Sequence, residues 1–250
     1  MAIAWTENSM MALLDDTVAA VAAAVGRQRD WGESGGRAGQ YRADLAADAA
    51  ALEVLDRAGV GVLSEESGLQ RADHPLLVVV DPLDGSTNAS RGIPWFACSV
   101  VAVDDEGPAV AVVVNLATGV RYDAVRGGGA RRDGVAIEPS GCSSLTDAII
   151  GINGLAPRHF GWCQFRSLGA AALDLCAVAD GTLDGYIDCA DEAHGVWDYL
   201  GGWLVCREAG AVIGDAFGRP MVVRDPSLRR TPVAGASAAV YDALRMARSR

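Results

Sequence analysis

The segment Val80-Asp81-Pro82-Leu83-Asp84-Gly85-Ser86-Thr87-Asn88 closes a continuous apolar run with two carboxylates, a glycine and a hydroxyl. Leu76 to Val80 is a short, β-branched run between Pro75 and Pro82, the pattern of a buried strand. Asp81 then falls at the carboxyl end of that strand, where open α/β sheets gather ligand-binding residues. Pro82 fixes φ, so the turn can aim Asp81, Asp84 and the Leu83 carbonyl at one point, an all-oxygen set suited to Mg²⁺. Gly85 lets backbone approach a ligand closely, and a helical turn opening at Ser86 would offer N–H groups to a phosphate oxygen. For a lone D-x-x-D, an acidic turn followed by a serine cap is the plain alternative. The whole run is far more specific than that.

Two further segments repeat the theme. Leu63-Ser64-Glu65-Glu66-Ser67-Gly68 follows the apolar run Val60 to Leu63 and sets two adjacent carboxylates at a strand end. Neighbouring side chains of a strand point to opposite faces, so only one of Glu65 and Glu66 should face inward unless the backbone turns there. Gly195-Val196-Trp197-Asp198 precedes a run with apolar residues at 200, 203 and 204, the spacing of a helix. Asp198 lies at the start of that helix, where capping and the helix dipole favour a carboxylate; taken alone it reads as a cap.

Together these segments resemble the inositol monophosphatase family of Mg²⁺-dependent, often lithium-sensitive phosphatases. Glu65-Glu66 matches its G-E-E element, DPLDGSTN its D-P-x-D-G-T-x-N, and Trp197-Asp198 with Glu208-Ala209-Gly210 its W-D...E-A-G signature. Arg166-Ser167-Leu168-Gly169-Ala170-Ala171-Ala172 is similar to its R-x-x-G-x-A-A segment, so the likeness runs from about residue 10 to 245. The chain departs from the pattern at Ser86 (usually threonine), Ala89 (usually aromatic) and Ser64 (usually glycine). It carries extra residues between Tyr186 and Trp197, and the lysine common ahead of the acidic pair is not evident.

The resemblance implies an α/β (α+β) fold, a layered α/β/α/β/α sandwich. An N-terminal portion (1–140) would carry Glu65 and the Asp81–Asn88 motif and a C-terminal one (141–250) Asp198, with the active site between them. It also implies hydrolysis of a phosphate monoester, most simply inositol monophosphate, by direct attack of metal-activated water. Two to three Mg²⁺ ions would be held by Glu65, Asp81, the Leu83 carbonyl, Asp84 and Asp198. Catalysis would rest on Glu65 and on Ser86 backed by Asp44; Asp44 alone reads equally well as an N-cap. Asp84, Gly85, Ser86, Gly169, Ala171 and Asp188 match positions that meet substrate, although the extra residues allow Asp191 to align in place of Asp188. A homodimer is implied as well.

Rival readings keep the scaffold and change the substrate to fructose 1,6-bisphosphate, histidinol phosphate or adenosine 3′,5′-bisphosphate, or make the chain a metal-binding assembly protein without turnover. A glycosidase pair of Glu65 and Asp81 would need no ion cluster. The net charge of −11 disfavours a nucleic-acid polymer as partner and would repel a phosphorylated substrate unless bound cations reverse the local sign.

No uninterrupted apolar stretch approaches the ~18–20 residues that cross a bilayer, so no membrane partner is expected. Glu7, Asp15 and Asp16 occupy the place where a signal peptide would need a basic and then an apolar segment. Six cysteines lack any C-x-x-C pair, which argues against structural zinc and for core thiols in a reducing, cytoplasmic setting. His194 reads as a hydrogen-bonded structural histidine.

Leu13, Leu14, Val18, Val21 and Val25 mark a first amphipathic helix, and a glycine-rich stretch, Gly32 to Gly39, reads as an exposed connection or a lid. Asp44 begins a second helix. Strands follow at Cys98–Val103, Ala109–Leu116 and Val120–Val125, close enough to pair antiparallel. Beyond them come Ala148–Ile152, a helix over Leu168–Ala179, a strand at Tyr186–Asp188, the Asp198 helix, and a last strand and helix over Val233–Met246.

Overall fold

The computed structural model describes residues 5–249. Helices α1 (Glu7–Arg27) and α2 (Arg42–Ala58) lead into β1 (Gly61–Ser64), β2 (Gly68–Gln70), β3 (Leu77–Asp84) and the short helix α3 (Ser86–Arg91). Next come β4 (Ala97–Asp104), β5 (Gly107–Asn115), β6 (Arg121–Val125), β7 (Gly129–Arg132) and β8 (Val135–Ala136). The remainder comprises β9 (Ile149–Asn153), β10 (Gln164–Arg166), α4 (Ala171–Ala179), β11 (Gly185–Asp188), α5 (Val196–Ala209), β12 (Val212–Asp215), β13 (Pro232–Gly235) and α6 (Ala238–Arg248).

Eight strands form one sheet in the order β2-β1-β3-β4-β5-β6-β7-β8, and five form a second in the order β10-β9-β11-β13-β12. From β3 to β8 the first sheet is an antiparallel meander, as the close spacing of its strands predicts. β1 and β3 run parallel, which brings their carboxyl ends side by side.

Alternation along the strands divides the interior into three cores. Leu77 and Val79 of β3 pack with Leu175, Leu200 and Leu204 of α4 and α5, whereas Val78 and Val80 pack with Leu14, Val21, Ala47 and Leu55 of α1 and α2. Ile150, Ile152, Ile187 and Val233 seat Val240 and Leu244 of α6 on the far face of the second sheet. The layers therefore run α/β/α/β/α, the architecture the sequence resemblance implies. α1 is long and apolar enough to reach across a bilayer, yet its stripe of Leu14, Thr17, Val18 and Val21 is buried under the first sheet, and Glu7, Asp15 and Asp16 lie exposed.

Boundaries differ from the sequence reading at two informative places. β3 does not stop at Val80 but continues through Pro82, because its pairing with β4 shifts register between Asp81 and Asp84 and the missing proline N–H falls at that irregularity. The helix expected from Leu168 begins only at Ala171, since Gly169 adopts φ +88°, outside the helical region. Strands β2, β7, β8 and β10 are too short for periodicity to reveal.

α5 is buried on nearly every side, and two adjacent glycines set how closely it packs. A Cβ on Gly201 would lie 2.4 Å from Ser99 Oγ, and one on Gly202 would lie 2.6 Å from Leu175 Cβ. Gly202→Val is therefore expected to lower unfolding free energy in urea by about 1–3 kcal/mol through overpacking. Gly26→Ala, at an exposed helical site with nothing within 4 Å of the new Cβ, is expected to raise it by up to about 1 kcal/mol.

Candidate active site

Four carboxylates converge from three structural sources. Glu65 follows the last residue of β1, Asp81 and Asp84 flank the irregularity in β3, and Asp198 occupies the third position of α5. Leu83 N–H donates to Asp81 Oδ1 at 3.0 Å, stapling the Asp-Pro-Leu turn. The first turn of α4 donates Ala172 N–H to Asp84 Oδ2 at 2.8 Å. Gly195 N–H donates to Asp198 Oδ2 at 2.6 Å, the return bond of a helix cap, so the cap role expected of Asp198 holds together with its place in the cleft.

These elements enclose a cleft of ≈220 Å³ lined by Glu65, Asp81, Leu83, Asp84, Gly85, Ser86, Thr87, Gly169 and Asp198. Carboxylate oxygens of Glu65, Asp81 and Asp198 all lie within 4.8 Å of one another. Asp81 is 1% exposed, and its Oδ2 is buried without a hydrogen-bond partner. A hard divalent cation would satisfy that orphaned oxygen, and the all-oxygen donor set fits Mg²⁺. A larger groove of ≈490 Å³ between α1 and α2 offers only Asp16 and Arg57 as charged groups.

Electrostatics point the same way. Burial, reinforced by Asp198 and Glu66 and opposed by Arg37, pushes Glu65 up to about 8. Burial, then the neighbouring carboxylates, raises Asp81 and Asp84 well above the ordinary range. Asp44 is pushed up to about 6 by burial, while the Tyr41 amide and the Ser86 hydroxyl favour its ionised form. The N-cap of α2 is Tyr41 rather than Asp44; Asp44 is the third residue of the helix, and its Oδ2 accepts Tyr41 N–H at 2.7 Å.

Strand alternation does not apply to Glu65 and Glu66, because β1 ends at Ser64 and both lie in the turn that follows, where both carboxylates reach Arg37. Glu65 lines the cleft, and the Glu66 side chain, 4% exposed, turns to Arg37 and Gln40. Sequence reasoning missed Arg37. Its Nη2 lies 2.8 Å from Glu65 Oε1 and 2.7 Å from Glu66 Oε1, so the glycine-rich stretch is docked on the site rather than a bare connection. A basic residue between glycines ahead of the acidic pair was the available signal, obscured because a lysine was sought.

Thr87, the Tyr41 hydroxyl 3.3 Å from it, and Asn88 were missed as well. Asn88 Nδ2 donates to Trp95 O and Leu168 O, both at 2.7 Å, which ties the phosphate-type turn to the segment carrying Gly169.

Two expected substrate contacts fall elsewhere. Ala171 is the first residue of α4 and does not line the cleft. Asp188 is fully buried at the end of β11, where Oδ1 accepts from Asn153 Nδ2 and Ala190 N–H, both at 2.9 Å. Asp191 points to solvent and pairs with Arg248 at 2.6 Å. His194 is the hydrogen-bonded structural residue expected, 3.1 Å from the Tyr186 hydroxyl and 3.2 Å from Asn153 Nδ2.

Comparison with known proteins agrees with this geometry. Residues 17–244 match the inositol monophosphatase family. The chain belongs to that family. As a member it is a phosphatase enzyme of the family's fold. It is 33% identical over 203 residues to inositol-1-monophosphatase ImpA of Mycolicibacterium smegmatis, covering 74% of this chain and 72% of that one. It is 35% identical over 184 residues to a fructose-1,6-bisphosphatase/inositol-1-monophosphatase of Archaeoglobus fulgidus, covering 72% and 71%. Among solved structures, the extragenic suppressor protein suhB of Bartonella henselae superposes with a TM-score of 0.81 at 28% identity, covering 97% of this chain and 100% of that one.

The raised carboxyl pKa values fix the sign of a stability profile. A carboxyl whose folded pKa lies above its unfolded value of about 4 favours folding at acid pH, and that contribution is lost as pH rises through the folded pKa. The cation-free protein is therefore expected to lose Tm in calorimetry as pH rises above about 5, a loss that continues through the Glu65 value of about 8. Added Mg²⁺ should raise Tm more at pH 8 than at pH 5.5, because it binds the deprotonated carboxylates. A flat profile with an equal Mg²⁺ effect at both pH values would contradict the cluster's electrostatics.

Proposed function

We propose that the cleft hydrolyses a small phosphorylated polyol, most directly inositol monophosphate, with two to three Mg²⁺ ions. The carrying observation is the buried, unpartnered Asp81 Oδ2 amid converging carboxylates, beside the Gly85-Ser86 turn. Glu65, Asp81, the Leu83 carbonyl, Asp84 and Asp198 would hold the ions. Bound Mg²⁺ supplies charge neutralisation of the phosphate and activation of the attacking water.

The chain's own groups do the rest. The Gly85 and Ser86 amides hold a phosphate oxygen, Glu65 takes up the proton of the attacking water, and the Ser86 hydroxyl, facing Asp44, orients that water. Phosphoryl transfer depends chiefly on position and charge, so no cysteine or histidine nucleophile is required. Asp84 and Gly169, both on the cleft wall, are the contacts for the alcohol portion.

Support for the polyol comes from the name of the mycobacterial relative; the archaeal relative's name keeps fructose 1,6-bisphosphate as the second substrate to test. Buried thiols at Cys98, Cys176 and Cys206 support a reducing, cytoplasmic setting. Leu155 and Phe165, 89% and 52% exposed near edge strand β10, support a homodimer.

Phosphate release from inositol phosphates, sugar phosphates, histidinol phosphate and 3′-nucleotides, with and without Mg²⁺ and Li⁺, tests the reading directly. Turnover is expected only with Mg²⁺. Asp81→Asn should cut kcat on the order of 10²–10³-fold or more by removing a charge from the cluster. Ser86→Ala should cost roughly 10²-fold. Full activity in a chelator, or in Asp81→Asn, would refute the mechanism.

A further inference from the structure

We propose that Ser99 is a positioning residue for the cation site, its hydroxyl donating to Asp81 Oδ2 and fixing the orientation of that carboxylate. The inference rests on the metal-dependent reading above. Ser99 lies on β4 directly opposite Asp81 of β3. Both face α4 and α5: the adjacent pair Val80–Val100 packs with the α1 and α2 core, whereas the next pair, Val79–Val101, packs with α4 and α5. Residues directly opposite across antiparallel strands have Cβ atoms about 4.5–5.5 Å apart, within the combined reach of a serine and an aspartate.

Both side chains are orphans in the same way. Ser99 and Asp81 are each 1% exposed, and Ser99 Oγ and Asp81 Oδ2 are both buried without a hydrogen-bond partner. A buried, unmade hydrogen bond destabilises each group that lacks its partner. Asp81 Oδ1 is already held by Leu83 N–H, so Oδ2 is the oxygen left to orient. Room for the hydroxyl is reserved across the helix interface, where a Cβ on Gly201 would lie 2.4 Å from Ser99 Oγ. Gly201 itself lies one helical turn beyond Asp198, so the serine packs against the helix that carries Asp198. A rotation of the serine side chain joins the two orphans and leaves Oδ2 with lone-pair capacity for a cation.

The test is calorimetric titration of the full chain with Mn²⁺ and with Mg²⁺, alongside thermal unfolding of the cation-free protein. Ser99→Ala is expected to weaken cation affinity about tenfold, the scale of lost support to a metal ligand. Its cation-free Tm should fall modestly, because the variant leaves the buried Asp81 Oδ2 without its donor. Ser99→Cys, which keeps a weak donor of similar shape, should recover part of the affinity. Wild-type affinity in Ser99→Ala, or no recovery in Ser99→Cys, would overturn the role of Ser99. Failure of the wild-type protein to bind either cation would instead overturn the metal-dependent reading.

Discussion

Glu65, Asp81 and Asp198 bring carboxylate oxygens within 4.8 Å of one another in a place where water scarcely reaches Asp81. At an effective dielectric of about 20, two unit charges about 4 Å apart repel by roughly 4 kcal/mol. That is a large part of the ~5–15 kcal/mol separating a folded domain from its unfolded chain. The cluster cannot stay fully ionised without compensation. In the cation-free protein, compensation takes two forms: protons held on carboxyls whose pKa values are raised, and the Arg37 guanidinium laid across Glu65 and Glu66. The proton on Glu65 is lost as pH rises through about 8, and Arg37 neutralises only one side of the cleft. A divalent ion held there would answer the remaining charge, which is the electrostatic ground for the proposed metal site.

Holding such groups together requires rigid supports, and each aspartate is pinned in the same manner. One oxygen of Asp81, Asp84 and Asp198 accepts a backbone N–H, from Leu83, Ala172 and Gly195 in turn. Backbone donors cannot swing away as side chains do, and each leaves the other oxygen to face a ligand. Glu65 is the exception, gripped by a side chain from a glycine-rich segment. The most adjustable carboxylate is thus the one held by the most adjustable partner, which suits a group proposed to take up a proton during turnover.

Much of this was readable in the chain itself. The β-branched run before Asp81 and the clustered strands from Cys98 to Val125 fixed the sheet's core, because alternation and turn residues encode local geometry. Leu83, Asp84, Gly85, Ser86 and Asp198 were found because each sits in a short motif whose spacing mirrors its spatial role. Arg37 and Asn88 were not, since their partners are 28 and 80 residues away, at Glu65 and Leu168. The continuation of β3 through Pro82 was equally hidden, as a register shift depends on the neighbouring strand. Asp188 is the opposite case: its match is local, whereas the residues following β11 enclose its carboxylate beside Asn153 and His194.

That enclosure gives the second sheet a stake in the site. His194 Nδ1 lies 3.6 Å from Asp198 Oδ2, while Nε2 of the same ring reaches Tyr186 on β11 and Asn153 on β9. Asp198 meanwhile rides on α5, which is fitted to the first sheet through Gly201 against Ser99. A sliding of one sheet relative to the other would strain either the imidazole contacts or the glycine contact before it moved Glu65 or Asp81, both fixed to the first sheet. Asp198 is therefore the carboxylate of the cluster whose position registers the alignment of the two layers. The three interlayer cores, by resisting such sliding, set the spacing of the carboxylates as well as the stability of the fold.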